Sequence, residues 1–180
     1  MNDDKVFRDI EQLRDPKRIA LLETERVASL CLQGQKMEKV LDIGTGSGIF
    51  AEAFARYGLN VTGIDLQVPM VKAARRFVPQ AHFLVAASEN LPFADDSFDL
   101  CFLGFVLHEA SRPLRTLQEA HRVCGFRTAV MEWPFAEQDY GPPLKDRLRS
   151  DEVFRMGNSS GFSRIEMVPL EHLILFLLEK

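Results

Sequence analysis

The chain has 180 residues and a formal net charge of −4, the size of one ordinary domain and the wrong sign for a protein that neutralises a nucleic-acid backbone. Its three cysteines, Cys31, Cys101 and Cys124, are widely separated, which leaves no C-x-x-C pair for zinc and no framework of disulfides, and suits a reducing compartment. The acidic opening lacks the basic-then-apolar order of a secretory signal, and the longest apolar run, Leu173 to Leu178, is far below the ~20 residues of a bilayer-crossing helix, so a cytoplasmic protein without a membrane partner is expected.

Apolar residues at Ile19, Leu22, Val27 and Leu30 predict a leading helix from Asp15 to Leu32, with Pro16 in its first turn. Val40 to Ile43 reads as a strand running into glycines, and Ile49 to Tyr57 as a helix closed by Gly58. A strand (Asn60 to Asp65), a helix opening on Pro69 and ending at Phe77, and a strand (Ala81 to Val85) follow. Next come a strand from Phe98 to Leu103, a helix from Arg112 to Val123 and a strand from Thr128 to Trp133. Repeated β-α-β units of this length imply a mostly parallel sheet with helices on both faces, a Rossmann-like α/β fold in three layers. Beyond Trp133 the pattern changes to a proline-rich loop (Pro134 to Pro143), a helix near Ser150 to Ser159 stopped by Gly161, and two apolar segments, Ser163 to Val168 and Glu171 to Leu178. With only Pro169 and Leu170 between them, those two can pair only as a hairpin. A single domain is expected over residues 1–180, with a helical segment 1–37 ahead of a core 38–180.

The sharpest signal is Asp42-Ile43-Gly44-Thr45-Gly46-Ser47-Gly48, between the first strand and its helix. Glycines there let a ligand approach the backbone, and the helix that follows offers unpaired N–H donors. The spacing is G-x-G-x-G with Ile at position 49, so the dinucleotide fingerprint is not met, and Asp42 would repel a pyrophosphate but attract a cationic amine. Asp65 ends the second strand, where a carboxylate can accept both hydroxyls of a ribose. The plainer alternative is a simple turn at the glycines and a helix cap at Asp65.

These residues, with Gly63-Ile64-Asp65, Glu89-Asn90-Leu91-Pro92-Phe93, Ser97-Phe98-Asp99-Leu100, Glu119-Ala120-His121-Arg122-Val123 and Glu132-Trp133, resemble the class I S-adenosylmethionine-dependent methyltransferases, and among them the UbiE-like type 11 group. The resemblance covers roughly residues 38 to 168. It implies a doubly wound seven-stranded sheet of order 3-2-1-4-5-7-6 with the last strand antiparallel, S-adenosylmethionine as cofactor and S-adenosylhomocysteine as product. It also implies a cofactor site made by Asp42, Gly44, Thr45, Gly46, Gly48, Asp65, Leu66, Met70, Ala87, Ser88, Glu89 and Phe105. Asp42 would reach the amine, Asp65 the ribose, Leu66 and Met70 the adenine, Ser88 would offer it a backbone N–H, and Phe105 would lie near the methionyl end. Two departures stand out: Ala87 replaces an acid that commonly meets the adenine amino group, and the turn Cys124-Gly125-Phe126-Arg127 is shorter than the family's usual one.

Methyl transfer from a sulfonium is an in-line displacement that needs orientation and a dry site more than acid catalysis. His108 with Glu109 is the candidate base just beyond the fourth strand, and His108, Glu132 and Trp133 are candidates for the acceptor pocket. His108-Glu109-Ala110-Ser111-Arg112 is not H-E-x-x-H, and no metal site is expected. The expected acceptor is a small molecule, because no inserted domain exists to grasp a macromolecule. Two rivals are a non-catalytic module that binds S-adenosyl compounds and a nicotinamide-dependent oxidoreductase. The latter commonly pairs a tyrosine with a lysine four residues later, which neither Tyr57 nor Tyr140 has.

Overall fold

Strand β1 (Lys39–Ile43) buries Val40 on one face of the sheet and Leu41 on the other, and β4 (Phe98–Gly104) alternates likewise, with Leu100 and Phe102 opposed to Cys101 and Leu103. Strands covered on both sides read as continuous apolar runs for this reason. The computed structural model describes residue 10 and residues 13–180. β1 pairs in parallel with β2 (Asn60–Asp65) and β4, while β3 (His82–Val85) extends the sheet beyond β2 and β5 (Cys124–Glu132) extends it beyond β4. β7 (Ile174–Glu179) runs antiparallel to β5 and to the edge strand β6 (Arg164–Pro169). The order is β3-β2-β1-β4-β5-β7-β6, as the sequence led one to expect.

Helices α2 (Thr24–Leu32), α3 (Ile49–Arg56) and α4 (Val68–Phe77) place Val27, Cys31, Phe54, Val71 and Ala74 in the core on the Val40 face. Helices α5 (Pro113–Val123) and α6 (Ser150–Ser159) cover the other face through Leu117, Ala120, Val123 and Val153. Because β1, β2 and β4 share one direction, their carboxyl ends and the loops that follow them collect at one edge, where ligands of open α/β sheets bind.

Three sequence expectations need correction. The leading helix is two helices, α1 (Pro16–Leu21) and α2, separated at Glu23, which takes a left-handed conformation (φ 47°) and accepts the Glu171 N–H at 2.7 Å. The interval of five from Leu22 to Val27 does not hold one apolar stripe, and the bend lets Leu22 be buried. No turn separates α5 from β5: the helix ends at Val123 and the strand begins at Cys124, four residues before the expected Thr128. The register shifts between Phe98 opposite Cys124 and Leu100 opposite Arg127, a bulge that takes up the extra residue. The hairpin turn is Leu170-Glu171-His172-Leu173, longer than Pro169-Leu170, and is closed by Leu170 N–H to Leu173 O at 3.0 Å. His172 thus lies in a turn rather than in a strand.

Candidate cofactor site

A cavity of about 500 Å³ opens at the carboxyl ends of β1, β2 and β4. The β1–α3 loop forms its floor. Thr45 N–H donates to Ile64 O at 2.8 Å and Gly46 N–H to the Asp65 carboxylate at 2.9 Å, so the loop folds over the tip of β2. Gly44 and Gly46 have φ of 68° and 53°, and a Cβ on Gly44 would overlap Val106 Cγ2. Those two conditions together make a side chain at position 44 incompatible with the loop.

Asp42 lies beneath this loop, 2% exposed, and accepts the Thr45 hydroxyl at 2.6 Å. Burial pushes its carboxyl up to about 7; the Thr45 hydrogen bond opposes that rise and the neighbouring Asp65 charge adds to it. Asp65 accepts Gln67 N–H at 2.8 Å as well as Gly46 N–H. It is not a helix cap, since the residue flanking α4 is Gln67, which makes no side-chain cap bond. On the far wall stand Leu66, which is 71% exposed, Met70, Ala87, Ser88 and Glu89. Ser88 Oγ is 3.0 Å from Thr116 Oγ1, which fixes that segment to α5.

The third wall follows β4. Phe105 has φ of 62°, donates its N–H to Met131 O at 2.9 Å and stacks on Trp133 with ring centroids 5.1 Å apart. A non-glycine residue in this conformation carries strain, which here the flanking strand and the stacked indole hold in place. Glu132, buried at the end of β5, accepts Leu107 N–H at 3.0 Å and meets His108 Nδ1 at 2.6 Å. Burial lowers the His108 pKa, but the hydrogen bond and charge of Glu132 outweigh it and hold the ring above its ordinary value. The His108 side chain is 8% exposed and does not line the cavity, whereas Glu109 does, with its side chain 79% exposed.

Residues 41–125 match the family described as a methyltransferase domain. Relatives include a demethylmenaquinone methyltransferase of Renibacterium salmoninarum, 35% identical over 107 residues that make up 58% of this chain and 44% of the relative. An uncharacterized methyltransferase of Bacillus subtilis, YcgJ, is 32% identical over 127 residues, 68% of this chain and 50% of its own. A crystal structure of a SAM-dependent methyltransferase from Aquifex aeolicus superposes with a TM-score of 0.85 at 28% identity, covering 96% of this chain and 97% of that one. In sequence over residues 41–125 and in fold over nearly its whole length, the chain is similar to the class I S-adenosylmethionine-dependent methyltransferases of the type 11 group. It spans about half the length of the curated relatives it matches.

Within this methyltransferase fold, Asp42, Gly44, Thr45, Gly46, Asp65, Leu66, Met70, Ala87, Ser88, Glu89, Phe105 and Glu109 are brought to one cavity. Four expected residues fall outside it. Gly48 (φ 81°) faces α4, where an added Cβ would stand 3.2 Å from Val78 Cγ2 and 3.3 Å from Ala74 Cβ, so its smallness serves helix packing. His108 and Glu132 bind each other behind the wall, and Trp133 backs Phe105 from outside; none of the three lines the cavity.

The sequence points to the N-terminal helix and the Pro134 to Pro143 loop as walls of an acceptor site, but not to the individual residues that act there. Leu13, Arg18 and Leu22 of the N-terminal segment line the cavity. Arg147, 6% exposed, gathers the proline-rich loop by donating to the carbonyls of Pro134 (3.1 Å), Ala136 (2.7 Å), Tyr140 (2.7 Å) and Pro142 (2.8 Å) and to Gln138 Oε1 (2.7 Å). No periodicity marks an arginine whose partners are loop carbonyls. The loop in turn seats Tyr140, its ring 6.0 Å from Trp133 and its hydroxyl 2.5 Å from His172 Nδ1.

Proposed function

We propose that this chain transfers the methyl group of S-adenosylmethionine to a small-molecule acceptor at the cavity described above. The observation that carries the reading is the joining of Asp42, the glycine loop and Asp65 into one polar floor. A buried carboxylate whose ionisation is held back by burial is stabilised by an incoming ammonium, and the glycine loop leaves space that a side chain at position 44 would fill. Each oxygen of Asp65 accepts one backbone N–H and retains a lone pair for a ribose hydroxyl. The residues therefore fit an S-adenosyl compound. When bound, the cofactor supplies an electrophilic methyl group on a sulfonium.

The chain's own contribution is then orientation and exclusion of water. Phe105, backed by Trp133, walls the methionyl end, and the N-terminal Leu13 and Leu22 supply apolar cover. Of the cavity's carboxylates, Glu109 follows Phe105 and Val106 on the third wall, and in this reading it accepts a proton from an oxygen or nitrogen nucleophile. His108 acts at one remove: with Glu132 it ties the loop carrying Glu109 to the end of β5. A second reading, a binder without turnover, is favoured by Ala87, which brings no hydrogen-bonding side chain to the far wall. The acceptor is taken to be small and nucleic acid is not a partner in this reading. The three buried cysteines, free as thiols, accord with the cytoplasm, and no helix among the described residues is long and apolar enough to cross a membrane.

Calorimetric titration of the purified chain with S-adenosylmethionine, S-adenosylhomocysteine and NAD tests the proposal. Uptake of both adenosyl compounds and not NAD is expected; uptake of NAD alone, or of none, overturns it. Methyl transfer from labelled cofactor across a panel of phenols, enols, amines and carboxylic acids separates enzyme from binder.

A further inference from the structure

The charged lining of the cavity is lopsided. Asp42, Asp65, Glu89 and Glu109 bring carboxylates, and among the described residues Arg18 is the one cation that lines it. Its guanidinium makes no hydrogen bond or ion pair with any described residue, in contrast to Arg14 four residues earlier. Arg14 donates to Ser47 O at 2.8 Å, pairs with Glu52 and lies over the Phe77 ring, 4.4 Å from its centroid. That tether holds the N-terminal segment against the glycine loop. Arg18 and Leu22, one helical turn apart, are on the same side of α1, and both reach the cavity.

A guanidinium that no described residue pairs, at the edge of this cavity, is open to an anion from the ligand. An S-adenosyl compound carries one, the α-carboxylate, beside the ammonium assigned above to Asp42. The acceptor is the poorer source, because the side of the cavity beyond Phe105 presents Glu109, whose charge repels an anion. We infer that Arg18 receives the α-carboxylate of the cofactor, so that α1 is part of the cofactor site and the amino-acid end is gripped from two sides, by Asp42 below and Arg18 above. The inference rests on the function proposed above. A planar fork of N–H donors matches a carboxylate in two parallel bonds, which a lysine at this position cannot reproduce.

The test compares S-adenosylhomocysteine with 5′-methylthioadenosine, which keeps the adenosine and sulfur and lacks the amino acid. Calorimetry on wild type, Arg18→Met and Arg18→Lys should give a loss of about 10- to 100-fold in S-adenosylhomocysteine affinity for R18M, the size of a charge-assisted bond. R18K should fall between, and 5′-methylthioadenosine should bind all three equally. Thermal melts of the unliganded variants should coincide, since the residue is exposed and has no partner among the described residues. Equal S-adenosylhomocysteine affinity in wild type and R18M overturns the inference while leaving the proposed function standing. A parallel loss for both ligands overturns it too, by making Arg18 a support of α1. A wild-type chain that takes up neither compound removes the function itself.

Discussion

Cofactor affinity should depend on pH through Asp42. Its carboxyl is pushed up to about 7 by burial, so near neutrality a proton competes with the ligand's ammonium for the same oxygens. At about pH 6, one unit below that value, roughly nine-tenths of the unliganded protein carries the proton, and at about pH 8 roughly one-tenth does. If only the ionised form grips the amine, S-adenosylhomocysteine should bind about tenfold more tightly at the higher pH, with the slope flattening above 7. The unliganded fold should respond in the opposite sense. A carboxyl whose folded pKa is raised leaves full stability below its unfolded value of 3.8, and that stability is lost as the pH rises towards 7. Calorimetry across this range, on wild type and Asp42→Asn, reads both effects when paired with thermal melts. D42N should show a flat affinity profile and a shallower dependence of melting temperature on pH. A pH-independent wild-type affinity, or an identical slope in D42N, refutes the assignment of the amine to Asp42.

Asp65→Ala should weaken S-adenosylhomocysteine binding by about 1.5–3 kcal/mol, and calorimetry that returns unchanged affinity removes the ribose assignment. Gly44→Ala places a methyl group against Val106 in a loop of positive φ, and should cost about 1–3 kcal/mol in urea unfolding while abolishing cofactor uptake. His108, held above its ordinary pKa by Glu132, adds stability that is complete below the unfolded value of 6.5 and disappears as the pH passes the raised one. Melting temperatures of wild type and Glu132→Gln should therefore differ most at about pH 6 and converge at alkaline pH; a constant gap speaks against the pair. Arg147→Met strands several buried loop acceptors at once and should cost about 3 kcal/mol, with early proteolytic cleavage between Pro134 and Pro143 as the local readout.

The strands were legible because burial on two faces writes itself as short apolar runs, and β2 begins and ends where the sequence placed it. The α5–β5 junction was not, because Cys124 to Arg127 looks like a turn by composition and becomes strand only through pairing with Phe98 and the bulge beside it. In the site, the glycine loop and Asp65 were readable from spacing, since the chemistry acts within neighbouring segments. What spacing hid was direction. His108 and Glu109 are adjacent in sequence, yet one turns inward to Glu132 and the other outward to the cavity, a choice made by a carboxylate 24 residues away. Arg18 was hidden for a similar reason: its helix swings over the glycine loop through the bend at Glu23 and the hold of Arg14 on Ser47.

The bond from Gly46 N–H to Asp65 means that the floor is already latched shut on itself when a nucleoside arrives. Under the proposed function, little of the ligand's binding energy would go to ordering loose chain, and capture would proceed as docking onto a finished socket. The same latch makes position 65 a joint of the scaffold, so exchanging its carboxylate for another group would reshape the neighbouring bend.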